Sequence, residues 1–237
     1  MSKLLVSDYD QTFYLNDEDI ENNKIYVNKF IDLGNLFVIA TGRSYLDFHN
    51  KLDIYKFNYN YAILNHGATI IDKNNKVLFN TCISNEIVSQ IQNDLSLSES
   101  INYFCCSGID SRVTFKHENL TKINVKYSSK EYALDKANFI NNKYGNYIKA
   151  YYVNTNSVEI ISNKTNKAEA IYWLIRFCNN VNKANTYVIG DSYSDIEMVQ
   201  EFNGYCMKNS VSKLKSIAIK EYDSVSSLIK EILNDQK

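Results

Sequence analysis

The sequence predicts an α/β fold, a Rossmann-like parallel sheet whose chain is interrupted by an inserted α+β module. Three observations lead to this prediction. Short apolar runs alternate with amphipathic, helix-like segments over residues 1–81. The same alternation resumes over residues 162–237. Between them, residues 82–161 contain strand-like runs that mostly follow one another without intervening helices, as in antiparallel sheets. We therefore expect a discontinuous core domain, 1–81 with 162–237, and a separate domain at 82–161.

The predicted elements follow from apolar periodicity and from turn residues. The chain contains no proline, so Gly, Asn and Asp must supply its turns. Residues 16–23 are polar, and helical spacing begins only at Ile25. Strands are expected at 4–6, 36–40, 61–64, 69–71, 76–79, 102–106, 112–117, 124–127, 147–153, 157–161, 186–189 and 205–207. Helices are expected at 25–33, 45–52, 84–95, 130–144, 168–178, 194–202, 211–218 and 225–233.

Composition excludes several classes of function. The net charge of −1 provides no electrostatic footprint for nucleic acid or for an anionic membrane. No run approaches the ~18 apolar residues of a membrane span, and Asp8 interrupts the first apolar run too early for a signal peptide. The five cysteines include no C-x-x-C pair, so neither a disulfide framework nor a zinc site is indicated. The expected compartment is the cytoplasm.

An acidic pair follows the first apolar run. Asp8 and Asp10 stand two positions apart, with Thr12 after them. Side chains at i and i+2 of an extended strand point to the same side, so two like charges would be brought together. A divalent cation that prefers oxygen ligands is the simplest way to neutralise them, and Mg²⁺ suits carboxylates. This stretch alone is also compatible with a solvated strand end.

Further polar groups stand at other predicted strand ends and helix starts. Thr41 and Gly42 follow the second strand, Lys167 begins a helix, and Asp191 with Asp195 follows a later strand. Because the carboxyl ends of parallel strands meet at one edge, these groups are expected to converge with the acidic pair. Carboxylates, hydroxyls and one ammonium suit the binding of Mg²⁺ and a phosphoryl group. Asp191 and Asp195 near a helix start are equally compatible with stabilisation by the helix dipole.

Together these motifs resemble the haloacid dehalogenase (HAD) superfamily and, within it, the Cof-like phosphatases. The first motif is D-x-D-x-T at residues 8–12, and the second is an apolar strand ending in Thr at 38–43. The third is a lysine at a helix start, and the fourth is G-D-x-x-x-D at 190–195. Their order and spacing agree with the family along the whole chain. The inserted module resembles the C2-type cap, which covers the site and selects the substrate.

The resemblance implies roles for the acidic residues and the lysine. Asp8 is similar to the family's nucleophile and metal ligand. Asp10 is similar to the general acid and base, with its backbone carbonyl on the metal. Asp191 resembles a direct Mg²⁺ ligand, and Asp195 a residue that reaches the metal site through water or through another ligand. Lys167 corresponds to the catalytic lysine.

The resemblance also implies phosphate contacts. Thr41 and the amide of Gly42 correspond to groups that contact the phosphate. Asn209 is similar to a family Asn near the phosphate or substrate. Thr12 and Arg43 complete the predicted phosphate-binding residues.

Several positions depart from the family's pattern. Gln11 stands where Gly is usual, which matters if that position needs a positive φ. His66 stands in a motif that usually reads Asn-Gly-Gly or Asn-Gly-Ala. Ala168 replaces the Gly after the lysine, and Ser194 replaces a frequent Asn. None of these changes removes a catalytic group.

Some assignments stay open at this stage. Lys164 competes with Lys167 for the third motif, and Lys167 is preferred because it begins the periodic helix. His66 could contact substrate or be structural. Residues of the inserted module could form a substrate surface or simply pack, namely Arg112, Lys116, His117 and several tyrosines.

The expected function is Mg²⁺-dependent hydrolysis of a small phosphorylated metabolite, a sugar phosphate or a phosphorylated cofactor, through an aspartyl-phosphate. The alternatives are a phosphomutase of similar architecture and a catalytically weak protein that binds a phosphorylated ligand.

Overall fold

The larger of two sheets has eight strands and is mainly parallel. The structure, a computed structural model, describes residues 1–153 and 156–234. Neighbouring strands from β13 to β3 run parallel, and β4 and β5 are antiparallel. In spatial order the strands are β13 (Glu221–Tyr222), β12 (Asn203–Met207), β11 (Thr186–Gly190), β1 (Leu4–Ser7), β2 (Leu36–Ala40), β3 (Tyr61–Leu64), β4 (Thr69–Asp72) and β5 (Val77–Asn80). The predicted parallel α/β sheet is therefore confirmed.

Strand β1 lies in the interior of this sheet, between β2 and β11. The chain moves outward from β1 in one direction through β2 and β3, and returns on the other side with β11 and β12. Such a reversal of strand order opens a crevice at the carboxyl ends of the strands, where ligands bind in α/β folds. The end of β1 is thus the natural place for a site.

Helices cover both faces of this sheet. Leu4 and Val6 of β1 pack into one buried cluster and Leu5 into the other, as strand alternation requires. The Leu5 face is covered by α1 (Asp17–Asp32) and α8 (Val225–Asn234), and the opposite face by α5 (Lys167–Cys178), α6 (Ile196–Glu201) and α7 (Ser212–Lys215). Helix α2 (Tyr45–Tyr55) follows β2. Burial on both faces explains why the inner strands are continuous apolar runs.

The smaller sheet has five antiparallel strands. Helices α3 (Asn85–Asp94) and α4 (Lys130–Tyr144) share one buried apolar cluster with it. In spatial order its strands are β7 (Asp110–Val113), β6 (Asn102–Ser107), β8 (Lys122–Lys126), β10 (Ser157–Ser162) and β9 (Ile148–Val153). This α+β character agrees with the expectation for the inserted segment. The predicted boundaries at 82 and 161 remain a prediction, and residues 154–155 and 235–237 lie outside the described ones.

Two predicted elements are wrong in their extent. Helix α1 begins at Asp17, not at Ile25, because the Asn16 side chain caps it by accepting bonds from the amides of Glu18 and Asp19. The polar stretch at 16–23 therefore belongs to the helix, with an acidic first turn that suits its dipole. The strand expected at 112–117 is instead β7, Asp110–Val113, and turns follow it.

The segment after β11 also differs from the predicted elements. The helix expected from Ser194 starts as a 3-10 turn over Tyr193–Asp195, and α6 proper begins at Ile196. Helix α7 spans only Ser212–Lys215. Strand β13 was not expected, since two residues are too short for a periodic signal. Within the described ranges, none of the helices combines the length and the apolar character that crossing a lipid bilayer requires.

Candidate active site

Asp8 is the first residue beyond β1, and it is buried. Its backbone amide donates to the Ile189 carbonyl of β11 over 2.9 Å. The chain therefore stays attached to the sheet while its carboxylate faces the crevice end of the strands. The sequence of β1 alone accounts for this position, because an apolar run ends at the first acid.

Three carboxylates meet at this edge. Asp8, Asp191 and Asp195 each place an oxygen within 4.8 Å of the other two. They come from the ends of β1 and β11, which are neighbours in the sheet. The expected convergence of these acids from distant parts of the chain is thus observed.

Lys167 lies between two of the carboxylates. Its Nζ donates to Asp8 Oδ1 over 2.5 Å and to Asp195 Oδ1 over 2.6 Å. It is the first residue of α5, which Asn166 caps by accepting a bond from the Glu169 amide. The buried ammonium is therefore fixed by the start of a helix.

The two candidate lysines of the third motif have different surroundings. Lys167 is 1% exposed and contacts the acids, whereas the bond described for Lys164 is from its backbone amide to Ser162 Oγ. Thr165 Oγ1 also donates to the Gly67 carbonyl, which ties the start of α5 to the loop after β3. The structure thus places Lys167, the preferred candidate, beside the carboxylates.

Asp195 organises the turn after β11. Its Oδ2 accepts bonds from the amides of Asp191 and Ser192 and from Ser192 Oγ. Gly190 permits this close approach, since a Cβ there would lie 2.5 Å from Asp195 Cγ. With Lys167 on its other oxygen, Asp195 has most of its hydrogen-bonding capacity used within the protein.

Burial raises the pKa of Asp8 well above its usual range; the Lys167 charge opposes this effect, and the neighbouring carboxylates add to it. Burial, with the Asp195 charge, also raises the pKa of Asp191, to about 6. For Lys167, burial lowers the pKa, but Asp195 and Asp8 outweigh burial and raise it. The lysine therefore stays charged, while the acids carry unfavourable negative charge.

The donor set fits a hard divalent cation. The cluster offers carboxylate oxygens only, and one ammonium stands against three carboxylates. Mg²⁺ prefers such oxygen ligands and would remove the excess charge. Because Asp195 is occupied by four hydrogen bonds, Asp8 and Asp191 are better suited to bind the ion directly.

Asp10 does not share the environment of Asp8. Its side chain is 49% exposed and forms a bidentate ion pair with Arg43, whose Nε and Nη2 lie 2.8 Å and 2.7 Å from the carboxylate oxygens. The expectation that both acids lie on one side of an extended strand is wrong, because β1 ends at Ser7 and the chain then turns. Among the described residues, the clustered carboxylates are those of Asp8, Asp191 and Asp195.

Among the predicted phosphate-binding residues, Thr12 contacts this cluster directly. Thr12 is buried and donates from Oγ1 to Asp191 Oδ1 over 2.8 Å. Thr41 is buried at the end of β2, and its Oγ1 accepts a bond from the Arg43 amide. Asn209 Nδ2 donates to the Gln11 carbonyl over 3.1 Å, so it braces the turn of the first motif. Arg43 is bound to Asp10.

The site also contains residues that sequence reasoning missed. Glu159 of β10 and Lys122 of β8 form a buried ion pair of 2.9 Å. Lys122 Nζ also donates to the Gly42 carbonyl over 2.6 Å, and His66 Nε2 lies 2.6 Å from Glu159 Oε2. The available signal was a single acid within the apolar run of β10. A buried charge of this kind needs a partner, which only the fold identifies.

The charged candidates of the inserted segment lie at the surface instead. Arg112 is exposed and pairs with Asp47 of α2 over 2.9 Å. Lys116 and His117 are exposed in the turns after β7. Arg112 of β7 thus joins the small sheet to α2 through a surface ion pair, not through the three carboxylates.

Gln11 adopts the left-handed backbone conformation, with φ of 62°. The family's Gly at this position would relieve the strain, which for other residues is about 1–2 kcal/mol. We expect Gln11→Gly to be more stable than Gln11→Ala by about 0.5–1 kcal/mol, since glycine loses part of the gain to chain entropy. Urea unfolding of the two variants measures this difference. Both variants lack the exposed Gln11 side chain, so its loss affects them equally. Equal midpoints would contradict the strain.

Comparison with known proteins identifies the family. A family model described as haloacid dehalogenase-like hydrolase matches residues 5–154 and 108–227. The chain belongs to the haloacid dehalogenase (HAD)-like hydrolases. The predicted resemblance is therefore confirmed, and the protein is a hydrolase, as expected.

Relatives and solved structures agree with this HAD assignment. A Buchnera aphidicola (subspecies Baizongia pistaciae, strain Bp) protein named "Putative phosphatase" is 23% identical, with 98% of each chain covered. A "putative HAD/COF-like hydrolase" from Plasmodium vivax superposes with a TM-score of 0.84 at 17% identity, covering 100% of this chain and 96% of the other. A sugar phosphatase of HAD subclass IIB has a TM-score of 0.76 at 15% identity, with 97% and 98% covered. The whole HAD fold is thus shared, including the part formed by the smaller sheet.

Proposed function

We propose that this HAD-like hydrolase is a Mg²⁺-dependent phosphatase acting on a small phosphorylated metabolite through an aspartyl-phosphate. The observation that carries the proposal is the contact of Lys167 with Asp8 and Asp195, with Asp191 alongside. A nucleophilic carboxylate, a cation to hold an anionic substrate and an oxygen-only metal site meet within one buried cluster. The names of the Buchnera relative and of the subclass IIB sugar phosphatase support the same reaction class.

In the first step, the Asp8 carboxylate attacks phosphorus and the ester bond to the leaving oxygen breaks. Asp10 supplies the proton that the leaving alkoxide needs, and its ion pair with Arg43 holds it at the rim of the site. Lys167, Thr41 and the Gly42 amide stabilise the phosphoryl oxygens as charge redistributes. The products are an alcohol and phosphorylated Asp8.

In the second step, water attacks the phosphorus of phosphorylated Asp8. Asp10, now deprotonated, accepts a proton from that water, and the bond between Asp8 and phosphorus breaks. Inorganic phosphate leaves, and the carboxylate is restored. Asn209 and Thr12 contribute by holding the turn of the first motif and Asp191.

Mg²⁺ bound by Asp8, Asp191 and the Asp10 carbonyl would lower the repulsion between the nucleophile and the phosphate. Asp195 acts on this site by orienting the Asp191 amide and Lys167, or through water.

The segment 82–161 is proposed to be a C2-type cap that selects the substrate, and 1–81 with 162–237 to be the core. The bonds from Glu159 to His66 and from Lys122 to Gly42 support this, since they join the small sheet to loops at the carboxyl edge of the large one. Sugar phosphates and phosphorylated cofactors are the proposed substrates.

Release of inorganic phosphate from a panel of phosphorylated metabolites tests the proposal. We expect turnover of some sugar phosphates or phosphorylated cofactors with Mg²⁺, and none after EDTA treatment. Turnover that survives thorough chelation would contradict the metal's role. Isomerised sugar phosphate without free phosphate would identify a phosphomutase. No release from the panel or from p-nitrophenyl phosphate would favour a protein that only binds phosphorylated ligands.

A further inference from the structure

A buried polar cluster joins the two sheets beside the carboxylates. Glu159 Oε1 accepts bonds from Lys122 Nζ and Asn124 Nδ2, both over 2.9 Å. Its other oxygen, Oε2, lies 2.6 Å from His66 Nε2. His66 is 4% exposed and follows β3, whereas Glu159 belongs to β10 and its partners Lys122 and Asn124 belong to β8. The imidazole is therefore held on one side by a carboxylate whose two oxygens both have hydrogen-bond partners.

The bond to Glu159 determines which nitrogen of His66 carries the proton. Burial raises the pKa of Glu159, but the charge of Lys122 and the hydrogen bond from His66 outweigh burial and hold it far below its usual range. An ionised carboxylate only accepts, so Nε2 must be the donor. Burial lowers the pKa of His66, which keeps the ring neutral. The remaining nitrogen, Nδ1, is then an acceptor with an available lone pair.

Nδ1 is buried and has no hydrogen-bond partner among the described residues. Buried polar atoms are almost always paired, so this acceptor needs a donor that none of the described residues supplies, such as a water or a ligand hydroxyl. His66 also adopts a φ of 56°, in the left-handed region of the backbone that favours glycine. The imidazole is kept there despite this strain.

The ring stands next to the groups assigned to the phosphate. It covers Gly42 so closely that a Cβ on that glycine would lie 2.4 Å from His66 Cε1. Its other neighbour is Tyr151 of β9, stacked with ring centroids 4.6 Å apart and planes at 21°. Burial lowers the pKa of His66 and raises that of Tyr151, and the charge of Lys167 lowers both pKa values.

We propose that His66 is a specificity-determining residue whose Nδ1 accepts a hydrogen bond from a hydroxyl group on the leaving part of the substrate. Glu159 is then a positioning residue, since it acts only by holding the proton on Nε2. This inference rests on the proposed phosphatase function and adds to it a requirement for a hydroxyl donor near the ester.

The first test compares esters with and without hydroxyl groups. Glycerol 1-phosphate is paired with n-propyl phosphate, and glucose 6-phosphate with cyclohexylmethyl phosphate. The measured quantity is kcat/KM for the hydroxylated ester divided by kcat/KM for its partner without hydroxyl groups. We expect His66→Gly, which suits the positive φ, to lower this ratio by about tenfold. His49→Ala, which removes a half-buried histidine of α2 that bonds to Asn75, is the control and should leave the ratio unchanged.

The outcomes of this comparison separate the two proposals. A structural defect would lower kcat/KM for both esters of a pair equally, so an unchanged ratio in an active His66→Gly variant overturns the role of His66 alone. If the wild-type protein hydrolyses none of the esters and no p-nitrophenyl phosphate, the phosphatase function itself fails, and the role of His66 in selecting a leaving group fails with it.

The second test needs no turnover. We expect ¹⁵N NMR of the His66 ring, assigned with His66→Gly, to show protonated Nε2 and unprotonated Nδ1. In Glu159→Gln, the amide oxygen takes the bonds of Lys122 and Asn124, so the NH₂ group faces Nε2 and the proton should move to Nδ1. A proton on Nδ1 in the wild-type protein, or an unchanged tautomer in Glu159→Gln, would overturn the inference.

Discussion

Asp8→Asn is expected to reduce phosphate release by about 10⁴-fold or more, the scale of losing a catalytic nucleophile. The amide has nearly the shape of the carboxylate, but it cannot form the acyl phosphate. Lys167 keeps its bond to Asp195, so the buried ammonium is not left unpaired. The variant therefore tests chemistry rather than folding.

Stability measurements accompany this experiment. Because burial and the neighbouring carboxylates make the Asp8 charge unfavourable, the Asn variant should unfold at no lower a temperature than the wild type without Mg²⁺. Asp32→Asn, which neutralises an exposed acid near the end of α1, is the matched control and should keep full activity. Near-normal phosphate release by a folded Asp8→Asn protein would rule out Asp8 as the nucleophile.

Mg²⁺ is expected to raise the melting temperature by several degrees at about pH 7.5 and by much less at about pH 5. Metal ligands must be deprotonated, and protons compete with the metal for the carboxylates. Differential scanning fluorimetry with Mg²⁺ or EDTA at the two pH values measures the effect. Asp191→Asn should remove most of the Mg²⁺-dependent shift, and Asp32→Asn should retain it.

Without metal, the contribution of these acids to stability should change with pH in the opposite direction. The pKa of Asp191 is about 6 in the folded protein and about 4 when unfolded, so the folded state binds more protons between these values. The contribution of Asp191 to stability without metal therefore falls as the pH rises through this window, and Asp8 acts in the same direction. Asp191→Asn should flatten this dependence. If the metal-free wild type gained more stability than Asp191→Asn as the pH rises from about 4 to about 6, the inference of an uncompensated negative charge at Asp191 would be wrong.

The fold shows which sequence signals carry spatial information. The apolar runs of β1, β2, β3 and β11 were predictable because strands buried on both faces must be apolar throughout. The start of α1 was missed because the helix is anchored by the Asn16 cap and an acidic first turn, while its apolar stripe becomes regular only later. The two-residue β13 has no periodicity that could be detected.

Some features of the site were likewise predictable from the sequence and others were not. Asp8, Lys167, Asp191 and Asp195 were predictable because each stands next to a strand end or helix start, and parallel strands bring such ends to one edge. The separation of the Asp10 side chain from Asp8 was not predictable, because it depends on where β1 stops and the turn at Gln11 begins.

The sequence by itself determined the HAD family, the parallel sheet and the four motifs with their carboxylates and lysine, since these depend on local pattern and chain order. Only the tertiary structure decided that Asp10 pairs with Arg43 and that Glu159 and Lys122 reach His66 and Gly42. These contacts join residues 33, 93 and 80 positions apart. Such groups find their partners through contacts between segments that are far apart in the chain, and no local periodicity records that arrangement.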